Sequence, residues 1–140
     1  MNVMNRVDAY VNNIKMPWED DKDNSKTIPV GTVECFTQNE NEDGFVRVWK
    51  KEYSSQAICM YWDKVLCILL IGLDSGKINY LKLSEKANFK KYDESIEIEM
   101  HVARVMGVYF WKDQIHSISK DTHYKIVDLE KGGLVAGIYI

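Results

Sequence analysis

The sequence is short of several things at once, and each shortage narrows the chemistry open to it. Proline occurs twice, at Pro17 and Pro29, and both flank one polar, mostly acidic stretch, Trp18 to Lys26. That stretch reads as a loop spanning about 18–27. Its carboxylates lack the regular alternation and central glycine that a calcium loop needs. Cysteine occurs three times, at Cys35, Cys59 and Cys67, with no C-x-x-C spacing and each inside an apolar stretch. A zinc site would need closer pairs and a fourth ligand, so these read as reduced, buried thiols and no metal is expected. No cofactor is expected either: Gly72 and Gly76 belong to a hairpin and Gly132-Gly133 to a turn, and none forms a phosphate-binding loop.

Charge is also scarce. The formal net charge is −3, too small for a field that would gather nucleic acid or an anionic membrane. No apolar run approaches the ~20 residues of a membrane-spanning helix. The first ten residues, Met-Asn-Val-Met-Asn-Arg-Val-Asp-Ala-Tyr, lack the basic region and apolar core of a signal peptide. A cytoplasmic protein without membrane insertion is the expectation. No helix is expected beyond a single amphipathic turn, the rival to a short strand at Val7–Val11.

What the sequence holds is strands and turns. Hydrophobic residues make up 46% of its 140 residues, enough for a core. The run from Leu66 to Ile71 is apolar on every residue, as in a strand buried on both faces. It ends at Asp74-Ser75-Gly76, where Asp can bond its own backbone and Gly can take positive φ. A second strand follows through Ile78, Tyr80, Leu81 and Leu83. Further strands are expected at Val7–Val11, Val30–Phe36, Phe45–Trp49, Gln56–Trp62, Ser95–Met100, Val105–Trp111, Gln114–Ser119, Tyr124–Asp128 and Leu134–Ile140.

The pattern of strand, Asp-containing turn and strand recurs at Asp43, Asp74 and Asp121, 31 and then 47 residues apart. The mean step is near the ~40–45 residue period of four-stranded propeller blades. Here the chain resembles the WD-repeat β-propeller family. Asp43-Gly-Phe-Val-Arg-Val-Trp49 matches its turn and third strand, with Lys50 where Asp is usual. A later cycle supplies His101, Ser117 and Ser119 in the second strand, Asp121 at the turn, and Val127-Asp128 in place of Trp-Asp. The middle cycle keeps Asp74, with Leu81-Lys82 at the pair. The resemblance implies an all-β fold of about three degenerate four-stranded antiparallel blades, an open propeller. Its blades would cover about 3–55, 56–100 and 101–140. Asp43, Trp49, Asp74, Ser119, Asp121 and Asp128 would be its structural turn and repeat residues.

The segment from Asp43 onward also looks like the first blades of proteins that join WD repeats to a FYVE-type zinc finger. The residues behind this are Asp43 to Lys51, Ile71 to Gly76 with Leu81 to Ser84, and His101-Val-Ala-Arg-Val105. That likeness implies an interaction scaffold and, as an alternative, an endosomal phosphoinositide-linked adaptor. The cysteine pairs of that lipid-binding zinc finger are not in this sequence.

The expected function is therefore non-enzymatic binding of a protein or peptide through propeller loops. Arg104, His101, Asp74 and Lys77 are the candidate contact residues, because Arg104 sits beside His101 in a loop entering a blade. A small hydrolase built on His101 and Ser119 is the rival. It lacks a Gly-x-Ser-x-Gly elbow. Trp62 and Trp111 end equivalent strands and read as packing residues, and Met60, Met100 and Met106 as core filler. Three blades cannot close a ring of the usual four to eight, so the expectation is either a fragment of a longer propeller or self-association or completion by another chain.

Overall fold

The computed structural model describes residues 3–9, 30–38, 44–131 and 133–139. The acidic stretch 18–27 and the turn residue Asp43 lie outside them. Eleven strands run in order: β1 Val3–Ala9, β2 Gly31–Gln38, β3 Phe45–Tyr53, β4 Ala57–Asp63, β5 Ile68–Leu73, β6 Lys77–Leu83, β7 Tyr92–Glu99, β8 Val105–Trp111, β9 Gln114–Ser119, β10 His123–Asp128 and β11 Gly133–Tyr139. They form three antiparallel sheets, β1-β2-β3, β4-β5-β6-β7 and β8-β9-β10-β11. No helix occurs among the described residues.

Chemistry explains the stacking. Every residue of β5 is buried because the second sheet lies between the other two. On one side Leu69, Ile71, Leu73 and Leu81 pack with Val33 and Tyr53 of the first sheet. On the other, Ile68, Leu70, Ile78 and Tyr80 pack with Val105, Phe110, Ile115 and Val127 of the third. Each such side chain contributes about 1.5–3 kcal/mol by leaving water. β7, by contrast, is mostly exposed and carries Asp93, Glu94, Glu97 and Glu99. It ends the second sheet at its outer edge. Between β8 and β9 the chain reverses through Lys112 and Asp113, both at positive φ (48° and 62°), the conformation of a tight two-residue hairpin.

Two glycines mark how one sheet joins the next. Gly76 opens β6 at φ +93°, and a Cβ there would lie 2.1 Å from the carbonyl oxygen of His101, in the link between the second and third sheets. Gly31 opens β2, and a Cβ there would lie 2.3 Å from the carbonyl oxygen of Ser55, in the link between the first and second. The backbone repeats the match: His101 N–H donates to Gly76 O (3.0 Å) and Val30 N–H to Tyr53 O (2.9 Å).

β2 therefore corresponds to β6, and β3 to the outermost strand β7. This corrects the sequence reading of Phe45–Trp49 as a third strand. β3 lies along β7: Trp49 packs edge-on against Tyr92 (5.8 Å between ring centres), and Lys51 Nζ donates to Ser95 Oγ (3.0 Å). An Asp-Gly pair before an alternating strand suits any hairpin, so it could not say which hairpin. Gly31 and Gly76 stand 45 residues apart, close to the 47 between Asp74 and Asp121. The 31-residue step thus compared unlike turns.

Candidate functional site

The densest polar cluster among the described residues lies where the link 100–104 meets the β9–β10 turn. The link leaves β7 and must enter β8 at the core, which draws His101 inward: its side chain is wholly buried. Burial is tolerable because both ring nitrogens are bonded, Nδ1 to Asp121 Oδ2 (2.9 Å) and Nε2 to Ser117 Oγ (2.7 Å). Asp121 Oδ2 also accepts the Val102 N–H (3.2 Å), and Oδ1 accepts the His123 N–H (3.0 Å). Ser119 Oγ donates to Ala103 O (3.0 Å) and accepts the Asp121 N–H (3.1 Å).

The electrostatics fix the protonation. Burial pushes the His101 imidazole below its ordinary pKa, outweighing the upward pull of Asp121; Lys125 and His123 push it down as well. Burial alone would raise Asp121, but the donors His123 N–H, His101 and Val102 N–H hold its carboxyl below the ordinary value. A neutral imidazole donates from Nδ1 to the carboxylate and accepts the Ser117 hydroxyl proton at Nε2.

That arrangement has the connectivity of a Ser-His-Asp triad, with Ser117 rather than Ser119 facing the imidazole. Ser117 is 1% exposed, so its hydroxyl has no route to a substrate. Ser119, the serine of the hydrolase reading, makes no bond to His101 and is committed to the turn. The His101–Ser119 pairing of the hydrolase reading is not formed.

The remaining candidates fall in different places. Arg104 Nε donates to Asp74 Oδ1 (2.5 Å), and Asp74 N–H donates to Gln56 O (2.8 Å), so the turn of the second sheet holds both links. Arg104 and Asp74 are each roughly two-fifths exposed; Val102, two residues before Arg104, is 91% exposed, the most of any large hydrophobic among the described residues. Lys77 pairs across the sheet with Glu97 (4.0 Å) and Glu99 (3.9 Å) of β7. Asp128 Oδ1 accepts the Glu130 and Lys131 N–H groups (2.9 and 3.1 Å) and shapes the β10–β11 turn. Trp49 Nε1 donates to Phe89 O (3.2 Å).

Sequence reasoning missed a second cluster, on the outer face of the third sheet. His116 stacks on Tyr109 (4.6 Å, 16°) and meets Trp111 edge-on (6.1 Å). The Tyr124 hydroxyl lies 2.9 Å from that of Tyr109 and also bonds His116 Nδ1. Trp111 is 55% exposed, whereas its partner position Trp62 is half-buried; Ile118 is exposed too, and so is Met106, against the core role expected of it. The signal was in the alternation Tyr109-x-Trp111 and His116-x-Ile118, which puts four apolar or aromatic groups on one face. Among the described residues no group of His, Cys, Asp and Glu could hold a metal ion.

No family model matches the chain, and no curated protein matches it. Solved structures do. A chain of a mitotic checkpoint complex aligns over 76% of this chain and 34% of its own, at 13% identity and a TM-score of 0.54. BamB from Moraxella catarrhalis aligns over 80% of this chain and 30% of its own, at 16% identity and a TM-score of 0.56. Both are propeller-fold chains, and at these identities the likeness is one of fold. The chain thus has the all-β fold of part of a propeller and spans about a third of the length of these structures.

Proposed function

We propose that the chain is a WD-type propeller segment that binds a protein or peptide through the loop at Val102, Arg104 and Asp74, without catalysis. One observation carries the reading: Val102 is almost wholly exposed, yet its own N–H is fastened to Asp121 Oδ2 (3.2 Å). A large apolar side chain held in water by a rigid backbone costs a partner little ordering entropy on binding. The flanking Arg104 adds the residue type richest in interface energy, oriented by Asp74. His101 supports this loop from beneath and is not itself a contact.

The non-enzymatic part rests on the sealed position of Ser117. Its hydroxyl is spent on His101, and a nucleophile must reach a carbonyl carbon to act. A reducing, cytoplasmic location belongs to the same reading, in keeping with free thiols at Cys35, Cys59 and Cys67.

A peptide library displayed on phage and selected against the purified chain tests the binding reading. Selected peptides should lose affinity about tenfold or more on Val102→Asp or Arg104→Glu. They should be unaffected by Val65→Asp, at an exposed residue in the β4–β5 turn. Peptides indifferent to both loop variants would refute the reading.

A further inference from the structure

Three successive residues of the link after β7 are each tied to the β9–β10 turn. Val102 N–H donates to Asp121 Oδ2 (3.2 Å), Ser119 Oγ donates to Ala103 O (3.0 Å), and Lys120 N–H donates to Arg104 O (3.0 Å). The turn is closed by Thr122 N–H on Ser119 O (3.2 Å), with Thr122 at φ 69°. Link and turn therefore form one stiff platform that carries Val102, Arg104 and Lys120 at fixed backbone positions. A platform that is stiff before binding loses little ordering entropy when a partner lands on it.

The polar groups left over on that platform are of one kind. Arg104 uses only its Nε–H on Asp74, so its two terminal nitrogens have no partner among the described residues. Lys120 is exposed, and its ammonium has none there either. The acceptors, by contrast, are committed. Asp121 holds His101 and two backbone N–H groups, and the Ser119 hydroxyl serves Ala103 O and the Asp121 N–H. Asp74 has its charge balanced by Arg104, and Glu97 and Glu99 share Lys77 on the second sheet. Lys125, donating to Met100 O (2.8 Å) at the start of the link, adds a cation that no carboxylate meets among the described residues. A guanidinium edge and an ammonium with idle protons are matched by a carboxylate, which only accepts and takes a charge-assisted bond from each.

We propose that the partner segment is acidic: a peptide that sets an Asp or Glu carboxylate on Arg104 and Lys120 and an apolar side chain on Val102. The inference rests on the reading of this loop as the binding site and goes further by naming what the loop selects. A neutral or basic segment would strip water from both cations without replacing it, and that penalty sets the preference.

Peptides selected from the phage library on the purified chain should carry Asp or Glu within a few residues of an apolar side chain. Changing that acid to its amide should weaken binding to the unaltered chain about tenfold, read by fluorescence anisotropy. Lys120→Glu should weaken the acidic peptide by about as much, with an unchanged thermal midpoint as the check on folding. The peptide with its acid changed to Lys should bind Lys120→Glu better than it binds the unaltered chain. Lys64→Glu, at an exposed residue in the β4–β5 turn, should change nothing. Peptides that lose affinity on Val102→Asp but lack an acid, or tolerate the amide or Lys120→Glu, would overturn the acidic partner and leave the binding loop standing. Peptides indifferent to Val102→Asp and Arg104→Glu, or a library that yields none, would overturn both.

Discussion

His101 and Asp121, twenty residues apart in sequence, meet inside the protein with Nδ1 2.9 Å from Oδ2. The carboxylate also receives two backbone N–H groups, so a single side chain joins the link after β7 to the β9–β10 turn. Asp121→Ala leaves the imidazole and both amides without their acceptor. The expected cost is about 2–3 kcal/mol, read as a lower urea midpoint. Asp74→Ala removes an exposed partner of Arg104 and should cost no more than about 1 kcal/mol. Equal losses for the two variants would mean that burial of the first cluster does not set its strength.

Acid should weaken the same cluster. His101 has a folded pKa below its ordinary 6.5, so the unfolded chain binds a proton first as pH falls. The stability from its neutral form is present above 6.5 and is lost as pH drops through the window beneath it. Asp121 is likewise lowered from 3.8, and its contribution is lost at still lower pH. Urea midpoints at pH 7.5 and pH 5.5 should therefore differ, the lower pH being less stable. His101→Asn should flatten the difference in part, because burial also lowers His116. A variant with the full wild-type pH dependence would show that His101 is not the responsible group.

The hairpin Ile68–Leu83 was legible because an all-apolar strand beside an Asp-Ser-Gly turn admits few structures. The cluster around His101 was legible only in part. Alternation places Ser117 and Ser119 on one face of β9, and only the path of the link decides which hydroxyl meets the imidazole. The first sheet was misaligned because Asp-Gly turns are chosen by local backbone twist, which is the same in every hairpin of the fold. What distinguishes the turn at the inter-sheet link is close backbone approach, which among the described glycines Gly31 and Gly76 report. Trp111 was misplaced for another reason. Trp62 packs edge-on against Phe89 (5.5 Å), and nothing equivalent covers the third sheet among the described residues.

Gly76 offers the sharpest backbone test. Alanine there would need positive φ and would press a methyl against the His101 carbonyl, which is backbone and has nowhere to go. A loss of roughly 2–4 kcal/mol is expected for Gly76→Ala, with the thermal midpoint as readout. Gly44 has nothing within 4 Å of a built Cβ, so Gly44→Ala should leave the midpoint almost unchanged. A neutral Gly76→Ala would contradict the tight junction between the second and third sheets.

The last prediction concerns the reassigned strand β3. Its final residue, Tyr53, donates from its hydroxyl to Asn79 Oδ1 (2.5 Å) in the middle of the second sheet. Asn79 is fully buried and spends its amide nitrogen on Ser95 Oγ (3.2 Å) and Ile96 O (3.0 Å) in β7. Burial, with Glu97 adding to it, drives the Tyr53 phenol well above its ordinary pKa, so the hydroxyl stays a donor throughout the neutral range. Tyr53→Phe leaves a buried carbonyl oxygen unsatisfied and should cost about 1–3 kcal/mol. Asn79→Leu removes the acceptor as well, so the pair should show a coupling energy of roughly 1 kcal/mol in a double-mutant cycle. Strictly additive losses would mean that β3 and the second sheet are not joined at this point, and with that the placement of β3 beside β7 would fail.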